Sequence, residues 1–418
     1  MKKFLAAGVL TILVLAITAG CVTPFSEEVE KDIVAVEEYP GLYLTNDVTA
    51  LPLATSGYDI YVVGEYHGAR EVHDLFIEYL QMLHKTCGLR DVIMEVNRHA
   101  EEEANAYALG ETDEFNEELW NRPDRIDILE RIRALNQELP DRKKIRVHLA
   151  DLDLAPPQVE AYTYYYIHLT ELKEKVGAEH IDIPPAEEFA EWDTDAKLEI
   201  VENLTEKTDK EDILNELETV EASIKYEGLM SHLTRNSELY EALEIREKQI
   251  AQNIQYILNQ LDGAPALALY GGWHTYKIRG KFSDRDPWAH QLVESGVSLY
   301  SVFMLGASGT RWIDYNLRNA DAEWCWEIVI PLDENTPFKA IFDDWPDYEM
   351  AFIDFNANPD LRIPWQFSGE CVLSIDTSLS EAMDGMILLK EVTPVRTSLG
   401  ASWIYGYMII AGLYALRY

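Results

Sequence analysis

The sequence predicts an α/β protein: a mostly parallel sheet flanked by helices, with an inserted helical subdomain. Three observations predict it. Short apolar runs alternate with segments whose apolar residues recur at helical spacing. Four of these runs finish on Glu, Asp or His, at what would be one edge of the sheet. Between the third and fourth of them lies a long, highly charged helical stretch, residues 156–230.

The elements follow in order. Ile60-Tyr61-Val62-Val63 is a strand, closed by Gly64-Glu65-Tyr66-His67-Gly68. Val72, Leu75, Phe76, Tyr79, Leu80 and Leu83 then keep one face of a helix apolar. Val92-Ile93-Met94 is the next strand and ends at Glu95. An acidic helical segment containing Asn105 and Tyr107 follows, and Ile128, Ile132 and Leu135 mark another helix. Ile145 to Leu149 is the third strand, running out at Asp151 and Asp153. The charged region 156–230, punctuated by Pro184-Pro185, reads as an inserted subdomain or lid. A long helix covers about 237–261, and Ala266 to Tyr270 is a strand ending in Gly271-Gly272-Trp273-His274. A short helix near Pro287–Glu294 and a strand at Leu299–Leu305 complete the alternation. Shorter strands near Glu327–Ile330, Ala351–Asp354 and Met386–Leu389 extend or edge the sheet.

The bulk numbers narrow the functional classes. The 418 residues are 47% hydrophobic, enough for a large core. With 74 acidic against 35 basic residues, the net charge is −39. A surface of that sign repels phosphate backbones, which excludes nucleic acid as a partner. The four cysteines, Cys21, Cys87, Cys325 and Cys371, form no CxxC and no His/Cys cluster of a structural zinc site. An oxidising compartment permits a Cys325–Cys371 bridge.

The two ends are apolar for different reasons. Met1-Lys2-Lys3, the apolar run Phe4–Ala19 and Thr18-Ala19-Gly20-Cys21 have the order of a secretory signal. Ala19, Gly20 and Cys21 resemble a lipobox. Thr18 departs from it, since Leu, Val or Ile is usual there. Residues 1–21 are therefore expected to be a lipoprotein-type signal peptide with lipid on Cys21; the alternatives are an uncleaved anchor or ordinary cleavage nearby. Residues 22–50 read as an acidic tether, and 51–396 as the α/β domain. The tail, 397–418, contains an uncharged run from Leu399 to Leu416 between Arg396 and Arg417. It fits either a membrane segment at the lower length limit or a buried terminal helix or strand.

Chemistry is expected where the strands end. In open parallel sheets ligands bind beyond the carboxyl ends of the strands. Any one polar strand end has a plain structural explanation; Glu65 with His67, Glu95, Asp151 with Asp153, and His274 together are harder to explain that way. A histidine can take a proton from water, and a carboxylate two residues away can fix its tautomer. A second histidine can polarise a carbonyl or protonate a leaving group. Glycines beside both let a substrate approach the backbone. Of the other histidines, only His73, on the first-turn side of its helix, is placed to reach this site.

These motifs, in this order, resemble the erythromycin-esterase-like family over roughly residues 50–396. Gly64 to Glu71 looks like its opening motif, and Glu95 with Ala104-Asn105-Ala106-Tyr107 and Gly110 like its next block. Arg146 to Asp153 resembles its third strand. Arg246-Glu247-Lys248-Gln249-Ile250-Ala251-Gln252-Asn253 is similar to a family helix, and Gly272-Trp273-His274 stands at its second histidine motif. Asp384 to Ile387 and Thr393 to Arg396 resemble its closing segment. Two departures stand out. One residue, not two, separates Glu65 from His67, and Gly-Gly-Trp-His replaces His-Asn-x-His. Both lean toward the related ChaN-like haem-binding and Tiki/TraB-like groups.

The resemblance implies a hydrolase of an ester or lactone in a small-molecule substrate, without a cofactor. His67 would be the general base, with Glu65 and Glu95 orienting and activating it. His274 would stabilise the carbonyl oxygen. Arg70, Glu71, Asp153 and Arg246 would hold substrate or carboxylates; a scaffold salt bridge is the ordinary alternative for the arginines. Two other expectations remain open. A divalent metal between His67, His274 and a carboxylate would give a Tiki-like peptidase. Haem held by Tyr66 and the histidines would give a ChaN-like surface lipoprotein.

Overall fold

The computed structural model describes residues 33–65, 67–116, 120, 124–154, 163–231, 236–279, 286–309, 341–359, 379–393 and 395. Cys21 and the signal segment, Tyr66, the strand expected near Glu327–Ile330, Cys325, Cys371 and the tail 397–418 lie outside them.

The strands are β1 Ile33–Ala35, β2 Leu42–Thr45, β3 Ile60–Glu65, β4 Asp91–Asn97, β5 Arg146–Asp151, β6 Ala266–Gly271, β7 Leu299–Gly306, β8 Met350–Asp354 and β9 Gly385–Leu389. They form one nine-stranded sheet in the order β1-β2-β8-β9-β7-β3-β6-β4-β5. The block from β9 to β5 is parallel throughout. β1, β2 and β8 close one side as antiparallel strands. The fold is thus the mostly parallel α/β sheet that the strand–helix alternation predicts.

Alternation along the strands sorts the core into two faces. Tyr61 and Val63 of β3 and Leu267 and Leu269 of β6 pack against Val72, Phe76, Tyr79, Leu80 and Leu83 of helix α1, Arg70–Cys87. Helices α2, Glu101–Leu109, and α3, Asp124–Glu138, share that side, through Ala104, Ala108, Ile128 and Ile132. Burial of one such large side chain contributes about 1.5–3 kcal/mol. An exposed i,i+4 pair such as Arg70–Asp74 adds only ~0.2–0.5 kcal/mol. The apolar stripe therefore holds α1, and Gly88 ends it in the left-handed conformation at φ 75°.

The inserted region has its own interior. Helices α4, Thr163–Val176, α5, Ala186–Ala190, α6, Thr194–Thr205, and α7, Glu211–Ser231, bury Leu169, Phe189, Val201, Leu217 and Val220 among themselves. Asp193 caps α6, accepting the Ala196 N–H at 2.8 Å. The opposite sheet face carries Ile60, Val62, Ala268 and Tyr270. It is covered by Ile250, Ile254 and Ile257 of α8, Asn236–Gln260, and by Trp288 and Leu292 of α9, Trp288–Glu294. Among the described residues no helix is long and apolar enough to cross a membrane.

The tether expected over 22–50 does not hold from Ile33 onward. β2 pairs antiparallel with β8, with Leu44 opposite Ala351. Leu42 and Leu44 are buried beside Ile353 and Phe355. What reads as scattered anchors in an acidic stretch is the period-two face of a short strand.

Connectivity places the site. The connection from β3 runs through α1 and passes β6 to reach β4; that from β6 runs through α9 and passes β3 to reach β7. The two connections lie on opposite faces, so they diverge at the carboxyl ends of β3 and β6. Such a divergence opens a crevice where side chains from several strand ends meet.

Candidate active site

Each strand around that crevice delivers a polar residue as its apolar run ends. Glu65 is the last residue of β3, and His67 follows two residues later. Glu95 lies near the end of β4, in step with Ile93, so it faces the α8 side. Asp151 closes β5. His274 sits in the short 3-10 turn Gly272–Thr275 directly after β6. From the helices come Arg246 and Glu247 on α8 and Arg125 in the first turn of α3.

Two imidazoles converge on one carboxylate. His67 Nδ1 lies 2.7 Å from Glu65 Oε1, and its Nε2 is 3.9 Å from Glu95 Oε2. His274 Nδ1 lies 2.6 Å from Glu247 Oε1, and its Nε2 is 3.7 Å from Glu95 Oε1. The indole of Trp273 lies against the His274 ring, 4.1 Å between centroids. Gly271 makes the approach possible. A Cβ there would stand 2.8 Å from His67 Nε2 and 3.3 Å from His274 Cδ2.

Glu95 itself is fixed from both sides. Its Oε2 accepts the Gly271 N–H at 2.7 Å, and its Oε1 accepts from Arg246 Nη2 at 2.8 Å. Arg246 also donates to Asp151 through Nε at 2.9 Å and Nη2 at 2.7 Å, a planar fork on a carboxylate. Burial works against the Arg246 charge, but Asp151 and Glu95 outweigh it and hold its pKa well above the usual value.

Glu65 has a second partner, a cation. The fully buried Arg125 guanidinium comes within 2.6 Å of Glu65 Oε1, 4.0 Å of Glu95 Oε2 and 3.8 Å of Asp124 Oδ2. None of these is an aligned hydrogen bond: Arg125 Nε, Nη1 and Nη2 and Glu65 Oε2 are buried without hydrogen-bond partners. Burial pushes the Glu65 carboxyl up, yet Arg125 and the His67 bond prevail and hold it at about 2. An ionised carboxylate only accepts, so the proton between Glu65 and His67 belongs to Nδ1. That tautomer presents the Nε2 lone pair toward Glu95.

The structure brings together His67, Glu65, Glu95, His274 and Arg246 from the residues the sequence singles out. It places three others elsewhere. Arg70 is the first residue of α1 and faces solvent, 3.9 Å from Asp74. Glu71 accepts from the Thr393 N–H and Oγ1, both at 2.6 Å, tying the start of α1 to the closing segment. Asp153 serves the insertion. It accepts from His168 Nδ1 at 2.6 Å and the His99 N–H at 2.9 Å, while its own N–H bonds Ser223 Oγ at 3.0 Å. The chain turns at Leu152, whose N–H bonds Asp151 Oδ1, so Asp153 leaves the strand's face. Asp151 is the aspartate of the site. His73 is buried on α1 with Nδ1 3.1 Å from Asp127, on the Arg125 side.

The donor set does not suit a metal. Glu65, His67 and Asp124 stand close enough together to share an ion. Arg125 already lies between Glu65 and Asp124, so the guanidinium is the cation of that trio. Glu95, the carboxylate between the histidines, has both oxygens taken by Arg246 and Gly271. A divalent ion there would meet two guanidinium groups at short range, so these residues do not fit one. Tyr66, the iron ligand considered for haem, lies outside the described residues.

No protein-family model matches the sequence, and no curated protein resembles it in sequence. Solved structures do match in fold. A Bacillus cereus protein superposes with TM-score 0.61 at 17% identity, over 82% of this chain and 91% of that one. A succinoglycan biosynthesis protein gives 0.58 at 14%, over 82% and 90%. A point mutant of the erythromycin esterase EreC, in its open conformation, gives 0.57 at 14%, over 82% and 93%. ChaN of Campylobacter jejuni, studied with haem, aligns at 0.27 over 59% of this chain, too low to carry weight. At these identities the likeness is one of architecture: this chain has an α/β fold similar to that of erythromycin esterase.

Proposed function

We propose that the protein is an exported, membrane-anchored hydrolase that attacks an ester or lactone with a water activated by His67, without a metal. The observation that carries this reading is the pair of imidazoles meeting over Gly271, each with Nδ1 on its own carboxylate and Nε2 toward Glu95. Separations of 3.9 and 3.7 Å are too long for direct hydrogen bonds and suit a bridging water. Water held on Nε2 of His67 loses its proton to that nitrogen as its oxygen adds to the carbonyl carbon. His274, near the other Glu95 oxygen, donates to the oxygen that gains negative charge when its Nε2 has taken a proton from solvent. As the carbonyl re-forms, the C–O bond to the leaving alcohol breaks and that alcohol takes the proton held by His67. Glu95 keeps both rings at working distance and is itself locked by Arg246.

A screen of ester, lactone and peptide substrates on the full chain tests the reading. Release of a carboxylic acid from an ester or lactone, unchanged by chelator, is expected. Peptide cleavage abolished by chelator would replace it with the metal reading; a red protein with a Soret band and no hydrolysis would replace it with haem capture.

Anchoring is tested apart from chemistry. The basic, apolar, small-small-Cys order predicts that the protein fractionates with membranes and takes up labelled lipid. Cys21→Ser should abolish the labelling; unchanged labelling rules out Cys21 as the attachment point.

A further inference from the structure

Glu247 is absent from the strand ends, and the sequence names it only within the run Arg246–Asn253, without a role. It follows Arg246 on α8 and is fully buried. Its two oxygens serve different donors. Oε1 lies 2.6 Å from His274 Nδ1, and Oε2 accepts the Trp288 N–H at 2.9 Å. Trp288 opens α9, so its N–H has no partner inside the helix and depends on this carboxylate. With Oε2 committed, Oε1 is left for the imidazole. A bare Nδ1 lone pair facing a carboxylate oxygen at that distance would be repulsive; a proton on Nδ1 gives every donor an acceptor.

We propose that Glu247 is a positioning residue: it locks His274 in the tautomer with the proton on Nδ1 and turns Nε2 toward Glu95 and the reacting group. The inference rests on the proposed site and sharpens it. In that tautomer neutral His274 offers only a lone pair at Nε2. It donates to a developing oxyanion only when Nε2 carries a second proton, and Glu247 is then the buried counter-charge of the imidazolium. His274 is thus a proton carrier at Nε2 and not a fixed N–H donor.

The test reads the tautomer directly. The full chain is labelled with 15N-histidine, and the His274 ring signals are identified by their loss in His274→Asn. At a pH where the ring is neutral, the wild type should show a protonated Nδ1 and an unprotonated Nε2. Glu247→Gln has one acceptor oxygen, which the buried Trp288 N–H claims. Its amide NH2 then faces Nδ1 and drives the ring proton to Nε2. The two nitrogen shifts should exchange roles. On a confirmed substrate kcat should fall by about a hundredfold or more, with KM within about threefold, as when a histidine is held in the wrong tautomer. A wild-type proton on Nε2 with Nδ1 bare overturns the proposal, as does a folded Glu247→Gln that keeps Nδ1–H. If thermal unfolding shows that the variant does not fold, the wild-type spectrum alone decides. Absence of ester hydrolysis would remove the proposed function and leave the tautomer result standing; a wrong tautomer beside intact hydrolysis would remove only this proposal.

Discussion

Asn in place of His67 or His274 should each lower turnover by about a hundredfold or more, the loss typical of acid–base help. The double variant should be little worse than either single one. Each ring faces its own oxygen of Glu95, at 3.9 and 3.7 Å, so each needs the other to complete the same step. Groups that act as a unit lose their effect together. The two substitutions differ in their effect on folding. The His67 side chain is 34% exposed and leaves a carboxylate still matched by Arg125. His274 is buried, and its loss strands Glu247 Oε1, costing about 1–3 kcal/mol. Denaturant unfolding separates that cost from the kinetic one. Glu95→Gln should resemble His67→Asn, because an amide has one acceptor oxygen where Arg246 and the Gly271 N–H need two. Near-normal hydrolysis by both histidine variants on a confirmed substrate would show that the chemistry lies elsewhere.

What made this site legible is that its strand-borne members sit in short windows. β3, β4 and β6 are apolar runs whose last residues break the pattern, so Glu65, Glu95 and His274 stand out against their own neighbours. Helix-borne members have no such contrast. Arg125 begins a helix that reads Asp-Arg-Ile-Asp-Ile-Leu-Glu-Arg, which looks like a solvated charged face. Only packing against α1 and α2 turns that arginine inward, toward Glu65. Glu247 is likewise one acid in an acidic helix; its signal was its place beside Arg246. Arg70 erred in the other direction. The resemblance of Gly64–Glu71 to a family motif suggests a site role, but the first residue of α1 projects into solvent beside Asp74, the ordinary salt-bridge alternative. Asp153 misleads because the run from Arg146 to Asp153 reads as one strand end, whereas β5 stops at Asp151. β1 and β2 span three and four residues, too short for alternation to be read against the surrounding acids.

Arg125→Met should destabilise the protein by about 3–5 kcal/mol at neutral pH, the range for removing one partner of a buried ion pair. The loss arises because Glu65 stays buried after its guanidinium is gone. Its pH dependence has a definite sign. In the wild type the Glu65 carboxyl titrates at about 2, below its ordinary 4.5. Between these values the unfolded chain binds the proton more readily than the folded one. The Glu65 contribution is therefore full above about 4.5 and is lost as pH falls toward 2. A shift of that size corresponds to about 3 kcal/mol. In Arg125→Met burial acts with less opposition, the carboxyl rises, and this acid-labile term shrinks or reverses. Arg125→Lys keeps the charge without the fork and should fall between. Asp153 and Glu101 are also held low, against the upward push of burial, by His168 and Arg98 respectively. They titrate alike in both proteins, so the difference between the two stability curves from pH 7 to 3 reports the carboxylates beside Arg125, with Glu65 at 2.6 Å ahead of Asp124 at 3.8 Å and Glu95 at 4.0 Å. Turnover should fall with stability, since a protonated Glu65 no longer obliges His67 to keep its proton on Nδ1. Parallel curves offset by less than about 1 kcal/mol would mean that Arg125 is not the counter-ion of Glu65, because exposed pairs are worth no more than that.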